Sequence, residues 1–185
     1  MITRLAYLGD ISGVLALQDR YLVFHIPPEL RANGFVTTPF TIQQIEAAIA
    51  IDGLFVAEDD QGIVAYVFAG SWDYFAQWPI FPFMTSRFPQ VFFESKALEI
   101  ATSFQYGPIC IDEPYRGTGL LQQLFNTMLE GMQPQFPIGV TFINKINQRS
   151  VRAHTLKLGM IIVDEFSFNQ NEYLGLAFRT DRRIL

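Results

Sequence analysis

The stretch Gln105–Pro134 constrains the fold most. Gln105–Asp112 reads as a buried strand, and Pro114-Tyr115-Arg116-Gly117-Thr118-Gly119 as a glycine-rich turn. Leu120, Leu121, Leu124, Phe125, Met128, Leu129 and Met132 then keep one helical face apolar until Pro134. An apolar strand delivered directly into a one-faced helix calls for a sheet with helices packed on it. The C-terminal third of the chain has the same grammar. Ile138–Ile143 reads as a strand, Asn147–Leu158 as a helix stopped by Gly159, and Met160–Phe166 and Tyr173–Phe178 as strands flanking Asn169-Gln170-Asn171.

Upstream, a helix is expected from Asp10, with Ile11, Val14, Leu15, Tyr21 and Leu22 at helical spacing and Asp10 as its N-cap. A second helix is expected from Thr41, where Thr41 and Gln44 fit a capping box and Ile42, Ile45 and Ile49 form the apolar stripe. Leu54–Glu58 and Ile63–Phe68, joined by Asp59-Asp60-Gln61-Gly62, read as a hairpin. Ser71–Ser103 carries prolines at 79, 82 and 89 that break any long helix, leaving a short one over Glu94–Ile100. The sum is an α/β chain of the α+β type, with a mixed central sheet flanked by helices. At 185 residues the whole of 1–185 suits one domain, with an aromatic-rich segment at about 71–104.

Composition removes several function classes. With 13 basic and 18 acidic residues the net charge is −5, so nothing favours binding nucleic acid by neutralising phosphates. One cysteine, Cys110, excludes an internal disulfide, and with two histidines, His25 and His154, a metal site is not expected. No apolar run approaches the roughly 18 residues of a membrane helix, and the start lacks a signal-peptide pattern. A soluble, cytoplasmic protein without membrane partners is expected.

The position of the glycine turn is more informative than its letters. A helix N-terminus offers unpaired N–H groups and the positive end of a dipole, and glycines let a phosphate approach closely. A P-loop is excluded because no lysine follows Gly119, and a dinucleotide fingerprint because no third glycine stands near Gln122. A tight turn with no ligand is the plain alternative.

Ile111-Asp112-Glu113-Pro114-Tyr115-Arg116-Gly117-Thr118-Gly119 resembles the acyl-CoA signature of the GNAT superfamily of N-acetyltransferases, with Arg116 and Gly119 at its first and fourth positions. The sixth position, usually small, is Leu121. A second block, Asn147, Ser150, His154 and Leu158-Gly159-Met160, resembles the next family motif, with one residue too many between His154 and Gly159. The resemblance is strongest over Gln105–Phe178.

It implies a mostly antiparallel GNAT-like sheet and acetyl-CoA as co-substrate, with no metal. The strand before the glycine turn is implied to splay from its neighbour, so that backbone groups of Ile109, Cys110 and Ile111 bind the pantetheine arm. Arg116, Gly117, Thr118, Gly119, Leu120 and Leu121 would hold the pyrophosphate. His154 stands where many members place a tyrosine that protonates the leaving thiolate, though it also lies on an apolar helical face with Val151 and Leu158. Asn147 reads as a helix cap and, by resemblance, as a pantetheine ligand. Cys110 reads as packing rather than as a nucleophile. Asp112 and Glu113, close to the phosphates, are expected to face solvent.

The resemblance implies transfer of an acetyl group to an amine of a small molecule or peptide by direct attack. The competing class is a non-catalytic acyl-CoA-binding domain of the same fold; a homodimer is left open. The aromatic segment, with Trp72, Tyr74, Phe75, Trp78, Phe81, Phe83, Phe88, Phe92, Phe93 and Phe104, reads first as core. Its place in the family fold also suits the wall of an amine pocket, with Trp78 as a pocket-facing ring and Tyr106 and Tyr173 as polar tips.

Overall fold

Strand β6 (Ser103–Ile111) organises the molecule, because one neighbouring strand follows nearly its whole length and the other only its first three residues. The structure, a computed structural model, describes residues 1–184. In chain order come β1 (Ile2–Leu5), α1 (Ile11–Tyr21), α2 (Ile42–Ala50), β2 (Leu54–Asp59), β3 (Gly62–Gly70), α3 (Trp72–Phe75) and α4 (Ile80–Arg87). A small hairpin, β4 (Phe92–Phe93) and β5 (Lys96–Ala97), precedes β6. The chain continues through α5 (Leu120–Met132), β7 (Ile138–Asn144), α6 (Gln148–Arg152), β8 (Ile161–Phe168) and β9 (Asn171–Arg179).

Seven strands form one sheet in the order β1-β2-β3-β6-β7-β9-β8. Every neighbouring pair is antiparallel except β6–β7. One face is covered by α1, α2, α3, α4 and the small hairpin, through Val14, Leu17, Ile45, Phe75, Phe81 and Phe93. The other is covered by α5 and the α6 region, through Leu120, Leu124, Phe125, Met128, Leu129 and Leu158. Burying both faces explains why the central strands read as near-continuous apolar runs.

Against β3, β6 pairs Ile111 with Ala65, Cys110 with Tyr66 and Ile109 with Val67, and then skips to Tyr106 opposite Ala69. Gly107 and Pro108 thus form a bulge where the sequence alone suggests an unbroken strand. Pro108 has no N–H to give a ladder, and Gly107 holds φ +102, a conformation that favours glycine. The bulge reverses the pleat. Phe104 and Tyr106 face the α5 layer before it, Ile109 and Ile111 after it, and Cys110 faces the opposite core.

The β6–β7 ladder stops at the same place. Its pairs are Ser103–Ile138, Phe104–Gly139 and Gln105–Val140, although both strands run on. A wedge opens beyond Gln105, as the resemblance implies. Asp112 N–H bonds Val64 O on β3 at 2.9 Å, so by ladder alternation the backbone of Cys110 also faces β3. The wedge-facing backbone groups therefore belong to Ile109 and Ile111, not to all three residues.

Several expectations need correcting. Glu94–Ile100 is not a helix: Glu94 and Ser95 adopt positive φ and turn β4 into β5. The expected short helix lies earlier, as α3 and α4. The first residues, assigned no element from sequence, form edge strand β1, where Arg4 bonds both Asp10 and Glu58. Asp10 spends its carboxylate on Arg4 and the Tyr7 N–H and makes no side-chain cap on α1. Thr41 and Gln44 form the predicted capping box, but Ile42 is exposed and the buried face of α2 is Ile45 and Ala48. The helix from Asn147 is regular only to Arg152, and Ala153–Lys157 form a π turn. A π turn holds one residue more than an α turn, which accounts for the surplus between His154 and Gly159.

Candidate active site

The glycine turn meets the open end of the wedge. Gly119, at φ +91, is the N-cap of α5, and no side chain caps that helix. Its first backbone bond is Gln123 N–H to Gly119 O at 3.2 Å, so the amides of Leu120, Leu121 and Gln122 precede the helical ladder. Gly117, at φ +86, is also left-handed, and a Cβ added at either glycine would enter open space. Thr118 turns its hydroxyl to Tyr115 O at 2.7 Å, and Leu120 is buried in the core. These two residues can offer a ligand only their backbone.

A cleft runs from this turn along the wedge. It is lined by Ile109, Cys110, Ile111, Arg116, Gly117, Gly119, Leu121 and Asn147, joined by Tyr21, the Asn33–Val36 segment, Gln122, Arg149 and Lys157. Every charged side chain lining it is a cation: Arg116, Arg149 and Lys157. In a chain of net charge −5 this is a local reversal of sign. Neither Arg149 nor Lys157 enters an ion pair among the described residues. Sequence reasoning missed both. Their signal was the spacing of Arg149, Ala153 and Lys157, four apart, which puts all three on the cleft side of the α6 region.

Arg116 is braced. Its Nε donates to Ile111 O at 2.8 Å and one terminal nitrogen to Asn33 O at 3.0 Å, with its guanidinium 4.6 Å above the Tyr21 ring. Tyr21 Oη in turn donates to Asp112 at 2.7 Å, and Arg20 donates to the other carboxylate oxygen at 2.6 Å. Asp112 is therefore not a solvent-facing carboxylate; its side chain is 17% exposed and ties α1 to the glycine turn. Burial raises its pKa, but the bonds from Tyr21 and Arg20 outweigh that and hold it below the usual value. Glu113 is exposed, as expected.

Asn147 caps α6: its Oδ1 accepts from Ser150 N–H at 3.1 Å, and its Nδ2 donates to Phe35 O at 3.3 Å. It thereby fastens the 35–38 segment across the wedge. Cys110 is buried, and burial pushes its thiol up to about 12, so it is a packed thiol without nucleophilic character at neutral pH.

Beyond Asn147 the cleft continues into a second cavity lined by Phe35, Thr37, Phe81, Gln105, Tyr106, Thr141, Phe142, Asn144, Ser150, His154 and Tyr173, and sharing Ile109 and Asn147 with the first. Of the aromatic segment only Phe81 reaches this cavity. Trp78, expected to face it, packs on Phe40, Tyr74, Phe75 and Phe81 instead. His154 Nδ1 lies 2.7 Å from the Ser150 carbonyl, which can only accept. The ring proton therefore sits on Nδ1, and Nε2 carries the lone pair. Burial lowers the imidazole pKa to about 4, so it is neutral and has no proton at Nε2 to give.

No protein-family model matches the sequence, and no curated protein sequence matches it. Solved structures do match. A GNAT-family acetyltransferase from Streptococcus agalactiae superposes with TM-score 0.67 at 14% identity, over 98% of this chain and 96% of that one. A Salmonella typhimurium protein assigned as an acetyltransferase, with its cofactor acetyl-CoA, gives TM-score 0.63 at 15% identity over 97% and 94%. The ribosomal-protein-alanine N-acetyltransferase of Brucella melitensis gives 0.63 at 16% over 97% and 99%. The fold of this chain is that of the GNAT acetyltransferases.

Proposed function

We propose that the chain is an N-acetyltransferase that moves an acetyl group from acetyl-CoA to an amine by direct attack. The observation that carries this reading is the continuity of the cleft. An anion site at the α5 N-terminus opens into a strand wedge with free backbone groups, and the wedge opens into a neutral, aromatic cavity. The residues fit the co-substrate: two left-handed glycines leave room for a pyrophosphate, Arg149 and Lys157 supply unpaired cations, and Arg116 is held ready beside them. Acetyl-CoA supplies the activated acyl group.

The backbone of Ile109 and the Ile111 N–H supply the groups to which an extended amide-bearing arm can pair as a further strand would, the Ile111 carbonyl already accepting from Arg116. A preorganised N–H from this edge, aimed at the thioester oxygen, is worth about 3 to 4 kcal/mol to the transition state. Asn147 bridges the wedge to the 35–38 segment through the Phe35 carbonyl. In this reading His154, whose ring proton is held by the Ser150 carbonyl, is not the proton donor that the resemblance implies. The reading is thus an enzyme whose rate rests on backbone donors and placement.

The competing reading, an acyl-CoA-binding domain without turnover, shares the first half of the cleft and differs only in the second. Calorimetry with CoA tests the first half; thiol release from acetyl-CoA with an amine panel tests the second. Binding in the low micromolar range or tighter with amine-dependent release is the expected result. Binding without release with any amine assigns the chain to the non-catalytic class.

A further inference from the structure

Gln105 carries one of the two buried, unpartnered side-chain oxygens among the residues lining the second cavity, the other being Tyr106 Oη. Gln105 lies on β6 at the last residue paired with β7, is 1% exposed, and lines the second cavity. Its Nε2 donates to Tyr106 O at 2.7 Å. That bond fixes the amide orientation, because the flipped form would set two oxygens against each other. Its Oε1 is thereby committed as a hydrogen-bond acceptor, and no donor meets it. A buried carbonyl left unpaired costs about 1 to 3 kcal/mol; the oxygen itself has almost no accessible surface, so a donor from a ligand in the cavity meets it after a small turn of the side chain.

The cavity around it is uncharged. From β6, β7, β9, α4, the α6 region and the 35–38 segment, its titratable side chains are Tyr106, Tyr173 and His154, and no carboxylate lines it. Burial raises both tyrosines above their usual value, and His154 is a neutral imidazole of low basicity. The adjoining outer mouth, lined by Ile80, Phe142, Phe168 and Tyr173, carries one charged side chain, the cation Arg31. An alkylammonium, neutral to the extent of about one part in a thousand or less at pH 7, would meet a cation at the entrance and no base inside.

We propose that the acyl acceptor is a weakly basic amine with an aromatic body, such as an arylamine or hydrazide, that enters uncharged and donates one N–H to Gln105 Oε1. The inference rests on the acetyl-transfer reading. An amide oxygen cannot remove a proton, but it orients an amine whose lone pair is already free. Phe35, Phe81 and Phe142 supply flat walls for the ring. In the transfer the C–N bond forms at the thioester carbon and the C–S bond breaks. The proton lost by the amine is carried off on the thiol.

The test uses the full chain and three amines on one phenyl scaffold: an arylamine, a hydrazide and a benzylic alkylamine. At pH 7 the arylamine or hydrazide is expected to exceed the alkylamine in kcat/KM by about a hundredfold or more. Its rate should follow its own ionisation, with no enzyme group titrating between pH 6 and 8. Gln105→Leu is expected to weaken arylamine binding to the CoA-loaded protein about tenfold by calorimetry, with CoA Kd within about twofold. Gln105→Glu, which places a base at the same position, is expected to move the preference toward the alkylamine, and it keeps the test open if the leucine variant does not fold. Preference of the wild type for the alkylamine, or unchanged arylamine binding in a folded Gln105→Leu protein, overturns the inference while leaving acetyl transfer standing. No CoA binding at all overturns both.

Discussion

The two ends of the cleft are built on opposite principles. The end at the α5 N-terminus is open and positive, made of backbone amides with three cations around them. The end beyond Asn147 is the more closed of the two and is neutral, with Gln105 and His154 buried among aromatic rings. A phosphate-bearing molecule suits the first because charge can be met by charge close to water. The second can hold only a group that arrives with its charge already removed, since desolvating an unpaired ion there is costly. On the acetyl-transfer reading the contrast divides labour: one end would supply affinity, and the other would select what reacts.

The largest effect expected from this contrast lies at the closed end. An unfolded histidine takes up a proton near pH 6.5, whereas folded His154 resists until about pH 4. The unfolded state binds more protons in that window, so stability falls as pH drops from 6.5 toward 4, by up to about 3 kcal/mol. His154→Gln should flatten this part of the stability–pH curve, read by denaturant melts at several pH values. Its turnover should stay within about threefold of the wild type at pH 7.5. A ten- to hundredfold loss in kcat with stability intact would restore His154 as the general acid. The next effect lies at the open end. Gly119→Val puts a branched side chain into the space beside the α5 amides and forces it to positive φ. CoA binding should weaken about tenfold or more, roughly 1.4 kcal/mol, with the melting temperature measured on the same sample to separate strain from occlusion. The smallest is the removal of single cations. Lys157→Ala or Arg149→Ala should each cost about threefold in CoA affinity and reduce its salt dependence, leaving amine KM unchanged. A Lys157 variant that changes amine KM instead would blur the division between the two ends.

The same division governs how much was legible in the sequence. The open end is contiguous: strand, turn and helix succeed one another from Gln105 to Met132, and the second block supplies Asn147 within one further strand. Its helix, its left-handed glycines and its Asn147 cap could all be read from local chemistry. The closed end is gathered from the 35–38 segment, α4, β6, β7 and β9, and no local pattern announces that Phe81 and Gln105 share a cavity. Prolines also concealed α4. Pro79 immediately precedes it and Pro82 sits in its first turn, where no N–H is required, so residues read as breakers are in fact compatible with a helix start. The surplus residue before Gly159 was visible as a count, but only the structure shows it taken up in a π turn and not in a loop.

The bulge at Gly107–Pro108 makes β6 a parity device. Before it, even-numbered residues belong to the α5 layer; after it, odd-numbered ones do. A one-residue deletion at this point would remove the extra residue and leave an unbroken ladder with β3. Ile109, Cys110 and Ile111 would keep the faces they have, because Val67 and Ala69, opposite Ile109 and Tyr106 on β3, already share one face across a single intervening residue. A relative without the bulge would be one residue shorter here with its downstream side chains on the same faces, so the change of odd–even phase along β6 is itself a marker of where the wedge begins.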